Sequence, residues 1–182
     1  AGKHSHRKER DVNATTLDGL AIDIPPSALE GLKARLKGPL VFPGDAGYEE
    51  ARTVWNAMID RRPACVVRCL GTAGVIAGVQ FAHEHRLLLG IKSGGHNIAG
   101  LATADGALML DLSLMRGVWV DAKKKVAHAQ GGCLIGDIDR ETQLHGLATV
   151  LGFVSATGAS GLTLGGGFGY LTRRWGWTTD NV

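Results

Sequence analysis

No stretch of this chain approaches the roughly 18 consecutive apolar residues that a membrane-spanning helix needs, and its first residues lack the apolar segment of a signal peptide. A membrane is therefore not an expected partner; the compartment is left open, with the cytoplasm favoured. Cysteine is scarce. Cys65, Cys69 and Cys133 form no C-x-x-C pair, which excludes a dithiol redox motif and predicts three buried, reduced thiols. Aromatic residues make up only 5% of the chain and are not interleaved with basic ones. Charge of one sign is missing as well beyond the first ten residues: Lys3, Arg7, Lys8 and Arg10 against Glu9 account for the whole net charge of +3. Both absences argue against a nucleic-acid partner. A Gly-x-Gly-x-x-Gly opening a helix after the first strand is absent too, which argues against a nicotinamide-dinucleotide dehydrogenase.

What the chain has in excess is glycine. Its 182 residues are 45% apolar and include 27 glycines, enough for one core or two small lobes that share one. The glycines cluster in loops, a pattern in which backbone rather than side chains meets a ligand. Lys92-Ser93-Gly94-Gly95-His96-Asn97 follows the apolar run Leu87-Leu88-Leu89-Gly90-Ile91. Glycines there permit conformations closed to other residues and let N–H groups approach an anion such as a diphosphate. A second stretch, Gly158-Ala159-Ser160-Gly161-Leu162-Thr163-Leu164-Gly165-Gly166-Gly167-Phe168-Gly169, lies further on.

Read in order, residues 1–14 are a charged tail in which His4 and His6 are solvated rather than metal ligands, so no metal is assigned. A helix is predicted from Ser27, with Glu30 at the capping-box position, to Gly38. Residues 39–45 form a short strand and turn, and 48–58 a second amphipathic helix through Tyr48, Val54, Trp55 and Met58. Strand 64–70, helix 72–85 (apolar at Val75, Ile76, Val79, Phe81 and Ala82) and strand 87–91 make a βαβ unit with a parallel pair. The Lys92–Asn97 loop then leaves the carboxyl end of a strand, where α/β proteins bind ligands. Strands 107–111, 117–121 and 125–129 read as an antiparallel meander, followed by a helix over 135–144 and a short one opening at Leu162. The expected fold class is α+β, with an N-terminal tail and helix (1–37) and two lobes, about 39–115 and 116–182, around a ligand.

Pro43-Gly44-Asp45, Trp55-Asn56, Asp60-Arg61-Arg62-Pro63, Gly94-Gly95-His96, Asp111-Leu112-Ser113, the run from Gly161 to Gly167 and Asp180-Asn181 occur in this order. Together they resemble the FAD-binding domain of berberine-bridge-enzyme-like oxidases, within the vanillyl-alcohol-oxidase (PCMH) type, over residues 38–182. The resemblance implies FAD as cofactor, gripped by Lys92, Ser93, Gly94, Gly95, His96 and Asn97 on one side. Ala156, Thr157, Gly158, Gly161, Leu162, Thr163, Gly165, Gly166, Gly167 and Gly169 would line the other. It implies a covalent bond from a ring nitrogen of His96 to the flavin 8α carbon, and a hydride passed from a small alcohol, amine or sugar to FAD and on to dioxygen.

Three departures accompany it. Val154 stands where some relatives carry a second, cysteine attachment, so one bond is the most expected. Lys92 replaces a common arginine, which keeps charge but not a bidentate grip. The family's substrate domain and C-terminal flavin segment have no counterpart in these 182 residues, so the remainder of the same enzyme is an implied partner. The alternative is a non-catalytic flavin-binding fragment, and no catalytic base is assigned.

Overall fold

The computed structural model describes residues 11–182; His4 and His6 lie outside the described residues. The described residues open on a hairpin. Strands β1 (Val12–Thr15) and β2 (Ala21–Ile24) pair antiparallel, Val12 opposite Ile24. The reading of residues 11–14 as tail is corrected here. Val12, Ala14 and Ile24 alternate with polar neighbours and are buried, the period-2 pattern of a half-buried strand. The hairpin is sewn to the body where the N–H of Leu88 donates to the Thr15 carbonyl (2.8 Å) and that of Thr15 to Gly106 (2.8 Å).

Helix α1 spans Pro26–Arg35. Ser27 is inside it, not its cap; the Pro25-Pro26 pair starts the helix, because a first-turn proline has a preset φ and no N–H to leave unpaired. Leu29 and Leu32 bury its inner face.

The main sheet contains β3 (Leu40–Val41), β4 (Cys65–Arg68), β5 (Leu89–Lys92) and β6 (Leu108–Asp111), in the order β3-β4-β6-β5. β4 and β5 are parallel to β6 on either side, and β3 is antiparallel at the edge. Two expectations change. The strands flanking α3 (Thr72–Glu84) are not neighbours, because β6 lies between them. And β6, buried at every position, belongs to this sheet rather than to a meander, as the near-continuous apolar run of a strand covered on both faces. Helix α3 sits close on it: a Cβ at Gly78 would lie 2.4 Å from the Leu110 side chain. Ala77, Gly78, Phe81 and Ala82 form the buried face, while Ile76 and Val79 are exposed.

Helix α2 stops at Arg52 after starting at Tyr48; the predicted continuation to Met58 is extended and irregular. The second lobe holds the hairpin β7 (Val118–Asp121) with β8 (Val126–Ala129), then α4 (Ile135–Gln143), α5 (Ala159–Leu164), α6 (Thr172–Trp175) and a 3₁₀ turn at Thr178–Asn181. Helix α5 begins three residues before the predicted Leu162. Among the described residues no helix is long and apolar enough to cross a membrane, and the three cysteines are buried and unpaired.

Arg116 ties the lobe together. Its Nε and a terminal nitrogen donate to the two Asp137 oxygens at 2.7 and 2.6 Å, and Asp137 also accepts the Leu134 N–H at 2.9 Å. The guanidinium bond, followed by the Leu134 N–H, holds the Asp137 carboxyl below the usual carboxylate range. A carboxyl depressed on folding stabilises the protein above its unfolded pKa, near 3.9, and loses that contribution as pH falls through the folded value. Arg116→Ala is expected to cost about 1–2 kcal/mol at pH 7, since the arginine end of the pair is half exposed. The deficit should narrow below about pH 4. Urea unfolding at pH 7 and pH 3 checks this; an equal deficit at both would refute it.

Candidate functional site

The site is built where β4, β5 and β6 end together. Asp111, wholly buried at the end of β6, accepts from Arg68 Nε at 3.2 Å and from the Ser113 N–H (3.1 Å) and Oγ (3.0 Å). Lys92 Nζ lies 3.7 Å away. That ammonium turns into the protein and donates to the carbonyls of Ala51 and, at 3.4 Å, Thr53. Burial pushes the Lys92 pKa down, with the Asp111 carboxylate pulling the other way. Lys92 was expected among the cofactor ligands; its side chain instead braces the 51–53 backbone behind the loop, because a buried ammonium requires carbonyl and carboxylate partners.

The loop itself leaves β5 with Gly95 at φ +69°, a left-handed conformation that favours glycine. The Gly95 carbonyl accepts the Trp55 N–H at 3.0 Å. Asn97 closes the following turn: its carbonyl accepts from Gly100 N–H (3.0 Å) and its Oδ1 from Leu101 N–H (3.2 Å). The N–H groups of Ser93, Gly94, Gly95, His96 and Asn97 donate to no described residue. Half-buried His96 has no hydrogen-bond partner among the described residues either. Its recorded contact is the Trp55 indole, stacked at 5.3 Å between centroids and 19° between planes.

The second glycine-rich stretch reaches this loop at one point. Gly158 bridges Leu134, and Ala159 N–H and Ile135 N–H bond the Cys133 and Thr157 carbonyls at 2.9 Å each. Gly158 then lies directly against Gly94. A Cβ on Gly94 would stand 2.3 Å from the Gly158 nitrogen, and one on Gly158 2.4 Å from the Gly94 nitrogen. Ser93 Oγ is buried beside this contact without a partner. Ala156, just before it, is exposed.

Further along, the roles divide. Gly161 is open, with nothing near the place of a Cβ. Leu162 packs on the Cys133–Ile135–Ile138 cluster, and Thr163 Oγ1 donates to the Ala159 carbonyl at 2.8 Å. Gly165 caps α5. Gly166 and Gly167 have positive φ, and their carbonyls accept from Thr179 and Thr178. Gly167 and Gly169 are required by packing: a Cβ would meet Thr178 Oγ1 at 2.4 Å and the Leu151 carbonyl at 1.6 Å, respectively.

These features fit a bound dinucleotide diphosphate. A row of N–H groups that donate to no described residue and an orphaned buried hydroxyl are what such an anion takes up. The cysteines do not compete as attachment points. Burial pushes Cys65 up to about 12 and Cys69 to about 11, and raises Cys133, which disfavours the thiolate at each of these buried residues. A separate cleft of about 790 Å³ in the second lobe is walled by β7, β8, α4 and α5, including Ile138, Leu151 and Thr163. It contains none of residues 93–97. An exposed ring cluster, Phe153 with Phe168 and Tyr170 and Phe168 with Trp177 at 4.8–5.9 Å, lies on the same lobe. Trp55 escaped sequence reasoning as a site residue because it was placed on a helix; the β-branched pair Thr53-Val54 followed by Asn56 was the available signal that the helix ends early.

Residues 63–182 match the family model described as FAD binding domain. (R)-6-hydroxynicotine oxidase of Paenarthrobacter nicotinovorans is 36% identical over 147 residues, 81% of this chain and 32% of that protein. Among solved structures, a variant of BBE-like 1 from Physcomitrella patens superposes with a TM-score of 0.76 at 26% identity, covering 84% of this chain and 34% of its own. A chitooligosaccharide oxidase does so with a TM-score of 0.76 at 29% identity, covering 84% and 33%. The chain spans about a third of the length of the curated relatives it matches.

Two substitutions separate packing from exposure. Gly158→Ala forces backbone against backbone and is expected to cost about 1–3 kcal/mol, a fall in Tm of several degrees. Gly161→Ala, inside α5 with open space above it, is expected to leave stability unchanged or raise it by roughly 0.5–1 kcal/mol. Thermal unfolding of both variants decides; equal destabilisation would mean that the Gly94–Gly158 contact is not tight.

Proposed function

The chain belongs to the FAD-binding family of berberine-bridge-enzyme-like, FAD-linked oxidases, and from that membership we propose that it is the flavin-holding module of such an oxidase, with FAD seated at the junction of the two lobes. The observation that carries the reading is the row of unpaired N–H groups from Ser93 to Asn97 beside the buried, partnerless Ser93 Oγ. These groups would hold the diphosphate. Ala156, Thr157, Gly158 and Gly161 would offer backbone on the opposite side, with Leu162, Thr163, Gly165, Gly166, Gly167 and Gly169 shaping the wall behind them. Lys92 supports from beneath through the 51–53 backbone.

Bound there, FAD supplies the redox chemistry, accepting a hydride from a small alcohol, amine or sugar and returning the electron pair to dioxygen. His96 is the residue assigned to the covalent link. Its ring nitrogen would hold the flavin through a single bond to the 8α carbon, an attachment in which nitrogen and carbon would each give up a proton and the electron pair would pass to dioxygen. An imidazole free of hydrogen-bond partners among the described residues suits a nucleophile whose nitrogen must be available. Val154 leaves no second attachment.

A second reading, flavin binding without turnover, is favoured by the exposed Phe153, Phe168, Tyr170 and Trp177 rings, an apolar patch of the kind that a further domain covers. The expected result for the chain alone is a yellow protein whose flavin fluorescence stays with the band on a denaturing gel after acid precipitation. His96→Ala should release it, and hydrogen peroxide output with any small alcohol, amine or sugar should be slight. Flavin that leaves the wild-type band in acid refutes the linkage, and brisk peroxide production refutes the second reading.

A further inference from the structure

We propose that Trp55 is the positioning residue for His96, fixing the plane of its imidazole so that a nitrogen faces the bound flavin; this rests on the reading of His96 as the attachment point. A histidine ring is usually oriented by a hydrogen bond from one of its nitrogens. His96 has none from the described residues, and the stacked Trp55 indole, 19° from parallel at 5.3 Å, is the contact recorded for its ring. An orienting hydrogen bond would occupy a nitrogen. A stacked face restrains the ring while leaving both nitrogens clear.

Trp55 is itself held. Its N–H donates to the Gly95 carbonyl at 3.0 Å, and the next residue, Asn56, donates through Nδ2 to the Ile98 carbonyl at 2.9 Å. Two consecutive residues thus tether the loop on either side of His96. The Asn56 side chain is kept in register by the Met58 N–H on its Oδ1 at 3.2 Å. Behind them, the Lys92 ammonium holds the carbonyls of Ala51 and Thr53. The indole is 63% exposed, so the fold does not depend on burying it, and a role in the core does not explain its place. Ring orientation is where small errors matter: a displacement of about 1 Å in a bond-forming pair lowers a rate by about 100-fold.

The test uses the full chain with added FAD and three readouts: the rate at which acid-stable flavin accumulates, the affinity for FAD before attachment, and the Tm. Trp55→Leu keeps apolar bulk without a π face and is expected to attach flavin about 10–100-fold more slowly with FAD affinity and Tm near wild type. Trp55→Phe restores a stacking face and should recover most of the rate. A Leu variant that attaches at the wild-type rate overturns the proposal, as does a Phe variant as slow as Leu. Loss of FAD affinity in step with attachment, in both variants, also overturns it, because the indole would then be holding the loop and not the ring. Wild-type protein that releases all its flavin in acid refutes the linkage itself, and this inference with it.

Discussion

One buried carboxylate organises this molecule. Asp111 sits at the carboxyl end of the central strand with no exposed surface. Around it gather a guanidinium from the strand on one side, an ammonium from the strand on the other, and the N–H and hydroxyl of Ser113. A buried charge survives only when paired and hydrogen-bonded, and removing one partner of such a group costs about 3–5 kcal/mol. Three parallel strands are therefore obliged to end together, in register, at the point where the 93–97 loop departs. Arg68 carries the network outward to Glu50 on α2 at 2.9 Å, so the helix that leads into the Trp55 segment is tied to the same centre.

Much of this was legible from residue order, but unevenly. The strand at 65–68, the helix at 72–84 and the helix at 135–143 follow from periodicity and length, and the structure returns them within a residue or two. The order of strands was not legible. Periodicity places Leu108–Asp111 on a strand but says nothing of its neighbours, and its insertion between β4 and β5 depends on covering both of its faces. The hairpin at the start was missed because Val12, Ala14, Ile22 and Ile24 are short apolar alternations beside a charged run, too few to outweigh it by pattern alone. The excess of glycine was read as one signal, and it is two. Gly94 and Gly158 lie backbone against backbone at the candidate site, whereas Gly167 and Gly169 serve packing against Thr178 and Leu151. No property of a glycine in a sequence distinguishes a ligand's approach from a neighbour's.

The misread segment teaches the most, because the failure of its helix is what couples the sheet to the loop. Had α2 run on to Met58, the Ala51 carbonyl would have accepted the Trp55 N–H, and the Thr53 carbonyl the N–H of Ala57, in the i to i+4 ladder. Lys92 would then have lost its acceptors, and the Gly95 carbonyl its donor. Instead the chain turns extended at Thr53, and the freed groups pair outward: carbonyls 51 and 53 with the ammonium of β5, and the N–H of 55 with the loop after β5. Local propensity gave way to a set of tertiary hydrogen bonds that satisfy the same backbone groups more usefully. One run of six residues thus links Asp111, through Lys92, to the ring that stacks on His96. The loop whose N–H groups donate to no described residue is thus braced from behind, through Lys92, by a network centred on a buried carboxylate.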